Sequence, residues 1–282
     1  MLALPLLDAL LDRALQEDLA GGDLSTEACV DERAQATGNA VARRPLVVCG
    51  GAVFRRVFER LDPAMSFEAI LADGASAAVG AVLWRVQGSA RTILSAERTA
   101  LNFVQRMSGT ATLARRFVEA LPAGSSARIA DTRKTTPGLR ALERYAVRTG
   151  GAHNHRDSLS SAVMIKDNHI VAAGGITAAI ERAKRRAPHT SRIEVEVASL
   201  AELDEAIAAG ADIIMLDNFS IADVRTAAAR LPRQGPRPLL EVSGGITLDR
   251  IPELAEAGID VISTGALTHS APAADIALDL VL

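Results

Sequence analysis

The feature that most constrains the fold is a rhythm in the second half of the chain. Short aliphatic runs follow one another there, at 128–131, 163–166, 193–197, 213–217, 239–242 and 261–264. Most are separated by segments with helical spacing of apolar residues, as in 199–209, 221–231 and 247–257. Strands that alternate with helices predict βαβ units and therefore a parallel sheet.

The N-terminal part of the chain is organised differently. Helical periodicity over 4–19 ends at Gly21-Gly22, and short apolar stretches at 46–49 and 81–86 lie on either side of a predicted helix at 51–61. A further helical pattern runs over 93–121, with an interruption expected near Ser108-Gly109. We therefore predict a small α/β layer that precedes the βαβ region.

Composition narrows the class of protein. Only 3% of the residues are aromatic, so the core must be built from aliphatic side chains, which suits helices packed on a parallel sheet. The net charge of −3 gives no bulk attraction to nucleic acid or to an anionic membrane. No apolar run is long enough to span a bilayer, and no basic leader is present. We expect a cytoplasmic protein with no nucleic-acid or membrane partner.

Polar groups stand at the ends of the predicted strands. The strand-end groups are Asp131-Thr132-Arg133-Lys134, Lys166-Asp167-Asn168, Glu196, Asp217-Asn218, Ser243-Gly244-Gly245 and Thr264-Gly265. The carboxyl ends of the strands form the active face of a βα-barrel. An open doubly wound sheet also binds ligands at its strand ends. The barrel is favoured because the chain has no evident dinucleotide-binding fingerprint.

Basic residues form the first candidate constellation. They are Arg98, Arg133, Lys134, His155, Arg156 and Lys166, on or beside predicted strand ends and loops. Arginine forks suit carboxylates and phosphates, and lysine supplies a compact charge. If the residues converge, they predict an anionic ligand with several charges. The alternative is that each is a solvated surface group.

Two acidic residues form the second constellation. Glu196 and Asp217 end successive predicted strands, so their carboxylates are expected to converge. Hard oxygen ligands of this kind suit Mg²⁺ held jointly with substrate phosphates, and they can also stabilise a cationic transition state. The alternative is that Glu196 pairs with one of the clustered bases and Asp217 caps the following helix.

Two glycine-bearing loops follow the last two strands. Ser243-Gly244-Gly245 and Thr264-Gly265 allow backbone N–H groups to approach a phosphate, although tight turns alone would also use glycine there. His153 and His155, two residues apart, can ligate a transition metal, whereas Cys29 and Cys49 form no metal-ligand pattern. No third ligand stands at suitable spacing, so we do not predict a zinc site. His155 is instead expected to donate a hydrogen bond to an anion.

Taken in order, these residues resemble a known family. The sequence reads D-T-R-K-T-T-P-G-L-R at 131–140, G-G-A-H-N-H-R at 150–156, I-K-D-N-H at 165–169, L-D-N-F at 216–219 and V-S-G-G-I at 242–246. Together with E-R-T-A-L-N-F from residue 97, this resembles quinolinate phosphoribosyltransferase over nearly the whole chain. Ala152 departs from the family pattern, which usually has a third glycine there.

The resemblance implies a fold and an activity. It implies an N-terminal α/β sandwich over 1–110, an open, incomplete TIM-like α/β barrel over 111–268, and a C-terminal helix over 269–282 that packs back on the N-terminal domain. It implies transfer of the phosphoribosyl group of phosphoribosyl pyrophosphate (PRPP) to quinolinate with loss of carbon dioxide, in NAD biosynthesis. It also implies dependence on Mg²⁺ and a homodimer with a shared active site, which is sometimes part of a larger hexamer.

By motif match, the resemblance also implies roles for individual residues. Those expected to bind quinolinate are Arg98 (from the partner subunit), Thr132, Arg133, Lys134, His155, Arg156 and Lys166. The expected catalytic residues are Lys134, Lys166, Glu196 and Asp217, the last two also as ligands of Mg²⁺ shared with PRPP. The residues expected to hold the phosphate of PRPP are Ser243, Gly244, Gly245, Thr264 and Gly265.

Three other functions remain open at this point. One is a phosphoribosyltransferase for another ring acceptor, although a monocarboxylate would need fewer bases. The second is a phosphosugar lyase or isomerase on a similar barrel, which would share the glycine loops but would not need the 131–140 block. The third is a non-catalytic anion-binding protein, against which the paired Glu196 and Asp217 argue.

Overall fold

The computed structural model describes residues 4–232 and 237–281, and the chain divides into two compact units. The N-terminal unit takes its described residues from Met1–Arg115, Thr136–Gly151 and Ser270–Leu282. The barrel unit takes its own from Arg116–Thr135 and Ala152–His269. The expected boundary near residue 110 is therefore close, but residues 136–151, expected in the barrel, belong to the N-terminal unit.

The bounds of the elements follow the predicted rhythm closely in the second half of the chain. The strands are β1 (Gln35–Ala42), β2 (Leu46–Val47), β3 (Ser66–Ala69), β4 (Ser76–Ala77), β5 (Val82–Ser89), β6 (Arg128–Ala130), β7 (Val163–Ile165), β8 (Ile193–Val197), β9 (Ile213–Asp217), β10 (Leu239–Ser243), β11 (Val261–Ser263) and β12 (Ile276–Val281). The helices are α1 (Leu4–Leu19), α2 (Leu24–Cys29), α3 (Gly51–Leu61), α4 (Ala90–Glu119), α5 (Arg140–Thr149), α6 (Asp167–Ala173), α7 (Ile176–Arg186), α8 (Leu200–Ala208), α9 (Ile221–Arg230), α10 (Ile251–Glu256) and α11 (Ala266–His269). No helix within the described residues is both long and apolar enough to cross a membrane.

The N-terminal unit is built on an antiparallel sheet of order β12-β1-β5-β3. Its core holds most of the few aromatic side chains, with the Phe54 ring stacked 5.1 Å from Trp84 and packed edge-on 4.9 Å from Phe58. Offset and edge-on ring pairs add to the free energy already gained by burial. The sparse aromatics of the sequence are thus concentrated in the core of the N-terminal unit.

Two sequence expectations for the N-terminal unit are wrong. The C-terminal segment is not a helix: it forms β12, whose residues pair antiparallel with β1 from Thr37↔Val281 to Ala42↔Ile276. It supplies the edge strand of the sheet, so it does belong to this unit, as expected.

The interruption expected at Ser108-Gly109 is also absent, because α4 continues through both residues. A Cβ at Gly109 would lie 2.0 Å from the carbonyl oxygen of Pro272, so this glycine allows close packing instead of breaking the helix.

The barrel unit contains six parallel strands in the order β6-β11-β10-β9-β8-β7. The strands follow chain order around the sheet, and β11 pairs with β6 to bring the last strand beside the first. A doubly wound sheet would instead reverse its order at a switch point. The fold is therefore an open α/β barrel whose gap lies between β6 and β7 in the described strand order.

Strand register decides which side chains enter the barrel. Residues paired between neighbouring strands project to the same face, and successive residues alternate. The pairs Met164↔Glu194, Glu196↔Met215 and Glu241↔Met215 place three carboxylates on one face. On the opposite face the strands carry buried aliphatic residues, namely Val195, Val197, Ile214, Leu216, Leu240, Val242 and Ile262. The barrel is thus packed outside by aliphatics, while its inner face carries acids.

Local signals in the sequence explain several helix ends. Ser199 caps α8, because its hydroxyl accepts a hydrogen bond from the Glu202 amide at 3.2 Å. Gly210 and Gly258 adopt positive φ values of 72° and 89° after α8 and α10, where chains usually place glycine. These ends direct the chain back to the next strand and so fix the order of the polar strand ends.

Candidate active site

Asp131 fastens the loop that carries two of the basic residues. It follows β6, is fully buried, and accepts hydrogen bonds from the His155 amide at 2.7 Å and the Asn154 side-chain amide at 2.6 Å. The backbone of His153 also bridges to β6 at Ala130. The Gly150–Arg156 motif is therefore held against the end of β6, next in space to the Arg133-Lys134 segment.

Arg133 and Arg156 are brought close enough to influence one another. Burial lowers the pKa of Arg156 below its ordinary value, and the neighbouring charge of Arg133 lowers it further, whereas Glu194 acts in the opposite direction. Two like charges held together and partly out of water favour an anion that bridges them. The pair of guanidiniums is therefore suited in charge to an anionic ligand at the strand ends.

His155 does not present its ring as a donor to a ligand in this structure. Its Nδ1 accepts a hydrogen bond from the Arg156 amide at 2.8 Å. Its Nε2 lies 3.1 Å from Glu194 Oε2 and 3.6 Å from Glu241 Oε1. Both ring nitrogens are thus engaged within the protein, which differs from the role expected of this residue. His155, Glu194 and Glu241 are called the acid–histidine cluster below.

The acid–histidine cluster is the most unusual electrostatic feature of the barrel. Burial and the charge of Glu194 raise the pKa of Glu241 to about 7. Burial lowers the pKa of His155, but the hydrogen bond to Glu194 and the charges of Glu241 and Asp131 outweigh it, so the net shift is upward. The shift at Glu241 favours its neutral, protonated form, and the carboxylates around His155 favour a hydrogen on the ring nitrogen that faces them.

The same three residues have the spacing of a metal site, since one ligand atom of each lies within 4.8 Å of the others. The hydrogen bonds argue against a metal there. Because His155 Nδ1 accepts the Arg156 amide, a neutral ring carries its hydrogen on Nε2, the atom a metal would need. The cluster is arranged to hold a proton.

Lys166 and Glu196 form an ion pair between the ends of β7 and β8. One part of the alternative expected for the acids is therefore realised, because Glu196 pairs with one of the clustered bases. The other part is wrong: Ser220 caps α9, and Asp217 instead accepts a hydrogen bond from the Asn218 side-chain amide at 3.1 Å. Asp217 thus stays at the strand end, on the same barrel face as Glu196.

The loop after β10 requires glycine. Gly244 has a φ of 88°, and a Cβ there would lie 2.2 Å from the side-chain oxygen of Asn218. Asn218 itself has a positive φ of 56°, and its amide donates to the Ser243 carbonyl at 3.0 Å. The Asp217-Asn218 and Ser243-Gly244 segments therefore pack closely and share a hydrogen bond. This contact holds the acidic end of β9 next to the glycine loop.

The second glycine loop lies against Lys134. A Cβ at Gly265 would come 3.0 Å from Lys134 Cδ and 2.9 Å from the His269 ring. The Thr264 hydroxyl accepts a hydrogen bond from the Ala266 amide at 3.2 Å and so shapes the same turn. The Lys134 ammonium has no carboxylate partner within ion-pair distance in residues 4–232 and 237–281. A free cation thus stands beside a glycine loop.

Arg98 lies apart from this set, in the N-terminal unit. It is an exposed residue of α4 and lines a cavity of about 410 Å³ within that unit, together with Arg13, Glu17, Asn102 and Arg106. Every other candidate residue belongs to the barrel unit. The barrel thus gathers Thr132, Arg133, Lys134, His155, Arg156, Lys166, Glu196, Asp217 and the two glycine loops at its strand ends.

Sequence reasoning missed Glu194, Glu241, Thr268 and His269. Glu194 stands two residues before Glu196 and Glu241 two before Ser243, so strand alternation alone would have placed both on the inner face. Thr268 and His269 lie one helical turn after Thr264 and Gly265, a spacing that brings them back to the same loop.

Comparison with known proteins gives a consistent result. The chain matches the quinolinate phosphoribosyl transferase N-terminal domain over residues 23–108 and the C-terminal domain over 110–279. It is 42% identical over 275 residues to the human nicotinate-nucleotide pyrophosphorylase [carboxylating], which covers 97% of this chain and 91% of that protein. It is 40% identical over 277 residues to the probable enzyme of that name from Synechocystis, covering 98% and 93% respectively.

Solved structures agree with this likeness. The crystal structure of NadC from Streptococcus pyogenes superposes with a TM-score of 0.93 at 41% identity, and covers 100% of this chain and 98% of that one. The human nicotinic acid phosphoribosyltransferase structure has a TM-score of 0.64 at 16% identity, with coverages of 96% and 73%. The second likeness extends to the fold alone.

Proposed function

We propose how the strand-end site works from the premise that this chain belongs to the quinolinate phosphoribosyltransferase family. It is a decarboxylating phosphoribosyltransferase of NAD biosynthesis. The reaction joins the ribose of PRPP to the nitrogen of quinolinate and yields nicotinate mononucleotide, diphosphate and carbon dioxide. The residue roles, the metal and the assembly described next are proposals.

The observation that carries the proposal is the approach of Arg133 to Arg156, beside the unpaired ammonium of Lys134. Quinolinate carries two adjacent carboxylates, and two guanidinium forks can each bind one. A ligand with one carboxylate would leave one fork unsatisfied, at a cost in binding free energy. Thr132 stabilises the turn that carries Arg133 and Lys134, because its hydroxyl accepts a hydrogen bond from the Lys134 backbone amide at 3.1 Å.

The acids at the next strand ends suit the ribose. When diphosphate leaves the anomeric carbon, positive charge grows on the sugar ring, and Glu196 and Asp217 can stabilise it. The bond from the ring nitrogen to the anomeric carbon forms as the bond to the diphosphate oxygen breaks. Lys166, paired with Glu196, orients that carboxylate.

The same two carboxylates fit Mg²⁺ only if substrate completes the coordination. Glu196 and Asp217 lie on one barrel face, but Glu196 is already paired with Lys166. The described residues do not provide a complete set of oxygen ligands there. Mg²⁺ commonly takes one or two carboxylates together with phosphate oxygens and water. When bound, it would neutralise charge on the departing diphosphate.

The two glycine loops suit the phosphate groups of PRPP. In Ser243-Gly244-Gly245, positive φ values of 88° and 57° at the glycines expose backbone N–H groups without a covering side chain. Thr264-Gly265 forms a second glycine turn, without a positive φ, and the Lys134 side chain lies against it. We assign Ser243, Gly244, Gly245, Thr264 and Gly265 to phosphate binding.

Decarboxylation then needs little further chemistry from the protein. Once the ring nitrogen is bonded to ribose it carries positive charge, which stabilises the electron pair left on the adjacent carbon when carbon dioxide departs. That carbon takes a proton, and the product retains one carboxylate. The protein chiefly holds two polyanions in register and offsets their repulsion.

Substrate comparison tests the proposal. Turnover with PRPP and Mg²⁺ should be rapid with quinolinate and at least about 100-fold slower with nicotinate, because nicotinate leaves one guanidinium without a partner. Comparable turnover with nicotinate would favour a phosphoribosyltransferase for another ring acceptor. Phosphosugar turnover without PRPP would favour a lyase or isomerase.

Arg98 is proposed to act on the barrel site of a second copy of the chain. It is exposed and shares its unit with none of the other candidate residues, which fits a residue that completes the site of another protomer. We propose a homodimer with shared active sites as the smallest active form, and such dimers can assemble into a hexamer.

A further inference from the structure

The backbone of Lys134 is fastened by one buried hydroxyl. Thr268, fully buried on α11, donates a hydrogen bond to the Lys134 carbonyl at 2.7 Å. The same hydroxyl lies 3.1 Å from the Gly265 carbonyl, a longer contact for its single hydrogen. Lys134 follows a three-residue strand and lies outside it, so no sheet ladder holds its carbonyl.

The side chain of Lys134 is placed by the same short segment. Its Cδ would lie 3.0 Å from a Cβ at Gly265, so the aliphatic stem runs directly over this glycine. No positive φ requires glycine at this position, since Gly265 is not among the residues with left-handed backbone. Gly265 is therefore needed for space, which the Lys134 stem shares with the His269 ring at 2.9 Å from such a Cβ.

We propose that Thr268 is a positioning residue for Lys134, and that Gly265 leaves room for the lysine stem. The inference rests on the proposed function, in which Lys134 contacts substrate and the Gly265 turn binds a phosphate of PRPP. One four-residue turn then sets both the phosphate and the ammonium, so their separation is fixed by local geometry.

The expected consequence of losing the hydroxyl is a misplaced ammonium. A displacement of about 1 Å in a catalytic group can cost about 100-fold in rate. Substrate affinity should change less, because Arg133, Arg156 and the glycine loops stay in place. The loss should thus fall mainly on kcat, with little change in KM.

Thr268→Val tests this, because valine has nearly the shape of threonine but cannot donate. We expect kcat to fall by about 10- to 100-fold, and Thr268→Ser, which keeps the hydroxyl, to restore most of the loss. Thr226→Val is the matched control: its hydroxyl also donates to a backbone carbonyl, that of Ala222 at 2.9 Å, but on the exposed face of α9. Its turnover should equal that of the wild type.

A double-mutant cycle separates positioning from general loss of structure. If Thr268 acts through Lys134, then Thr268→Val in a Lys134→Ala background should reduce the residual turnover by less than about twofold. An equal fall in both backgrounds would overturn the inference, as would wild-type kcat in Thr268→Val. If Thr268→Val does not fold, Thr268→Ala removes the hydroxyl without added bulk and is interpreted in the same way.

The outcomes distinguish this inference from the proposed function on which it rests. A wild-type protein that turns over no quinolinate with PRPP and Mg²⁺ contradicts the proposed function. An active wild type whose Thr268 variants keep full kcat contradicts only the positioning role of Thr268.

Discussion

The ammonium of Lys134 has no carboxylate partner in the described part of the chain. The buried Thr268 hydroxyl donates to the Lys134 carbonyl, and the aliphatic part of the side chain packs against Gly265. We expect Lys134→Ala to lower kcat by about 100- to 1,000-fold, the range for removal of one preorganised charge-stabilising group. The melting temperature should stay within a few degrees, since the side chain is exposed. Lys184→Ala on exposed α7 is the matched control, and its turnover should be normal. Normal turnover of Lys134→Ala would remove this residue from the site.

Glu241 supplies a prediction about pH. Burial and Glu194 raise its pKa to about 7 in the folded protein. A carboxyl with a raised folded-state pKa contributes stability that is fully present below its unfolded pKa and is lost as pH rises through about 7. Glu241→Gln cannot ionise, so its melting temperature should rise relative to the wild type between about pH 5 and pH 8.

Thermal unfolding of both proteins across that pH range measures this effect. The exposed Glu181→Gln on α7 is the control, and its difference from the wild type should stay flat. Parallel curves for Glu241→Gln and the wild type would mean that Glu241 is ionised at no cost in the folded state.

At the scale of elements, alanine substitutions at two glycines distinguish the cost of a positive φ from the cost of a steric clash in the loop after β10. Gly244 and Gly174 have similar φ values of 88° and 85°, but a Cβ meets Asn218 only at Gly244. Gly174→Ala should therefore destabilise the fold by about 1 kcal/mol with normal kinetics. Gly244→Ala should destabilise it more and raise the KM for PRPP. Chemical denaturation and steady-state kinetics of both variants measure this, and equal effects would contradict the fitted loop.

The strands were predictable from sequence because parallel strands are buried on both faces and appear as continuous aliphatic runs. β8 and β9 have the predicted bounds, and β10 differs by one residue. Strand ends could be predicted for the same reason, which placed Glu196, Asp217 and the glycine loops together. What those side chains touch depends on register and loop path, so the ion pair of Lys166 with Glu196 was only one of two alternatives.

Two elements could not be predicted because tertiary contacts decide them. Residues 276–281 become a strand since β1 offers an unpaired edge. Gly109 stays helical since the chain at Pro272 packs against it, although glycine lowers helix propensity. The contacts of His155 with Glu194 and Glu241 could not be predicted either, because the three residues are far apart in the sequence.

For the whole molecule, the placement of Arg98 predicts complementation between protomers. Arg98→Ala should mainly raise the KM for quinolinate, and Lys134→Ala should mainly lower kcat. If each site takes Arg98 from one protomer and Lys134 from another, mixing the two variants should restore up to about one quarter of wild-type activity in randomly formed dimers. The assay must include proof of subunit exchange. Proven exchange with no recovered activity would contradict the shared site.

The central claim is that the site at the barrel strand ends couples ribosyl transfer to loss of one specific carboxylate. The most direct measurement uses quinolinate labelled in the carboxyl group next to the ring nitrogen, with PRPP and Mg²⁺. We predict one labelled carbon dioxide for each nicotinate mononucleotide and each diphosphate formed, and no release when the label is in the other carboxyl. Mononucleotide formed with the label retained, or label released without PRPP, would contradict the account.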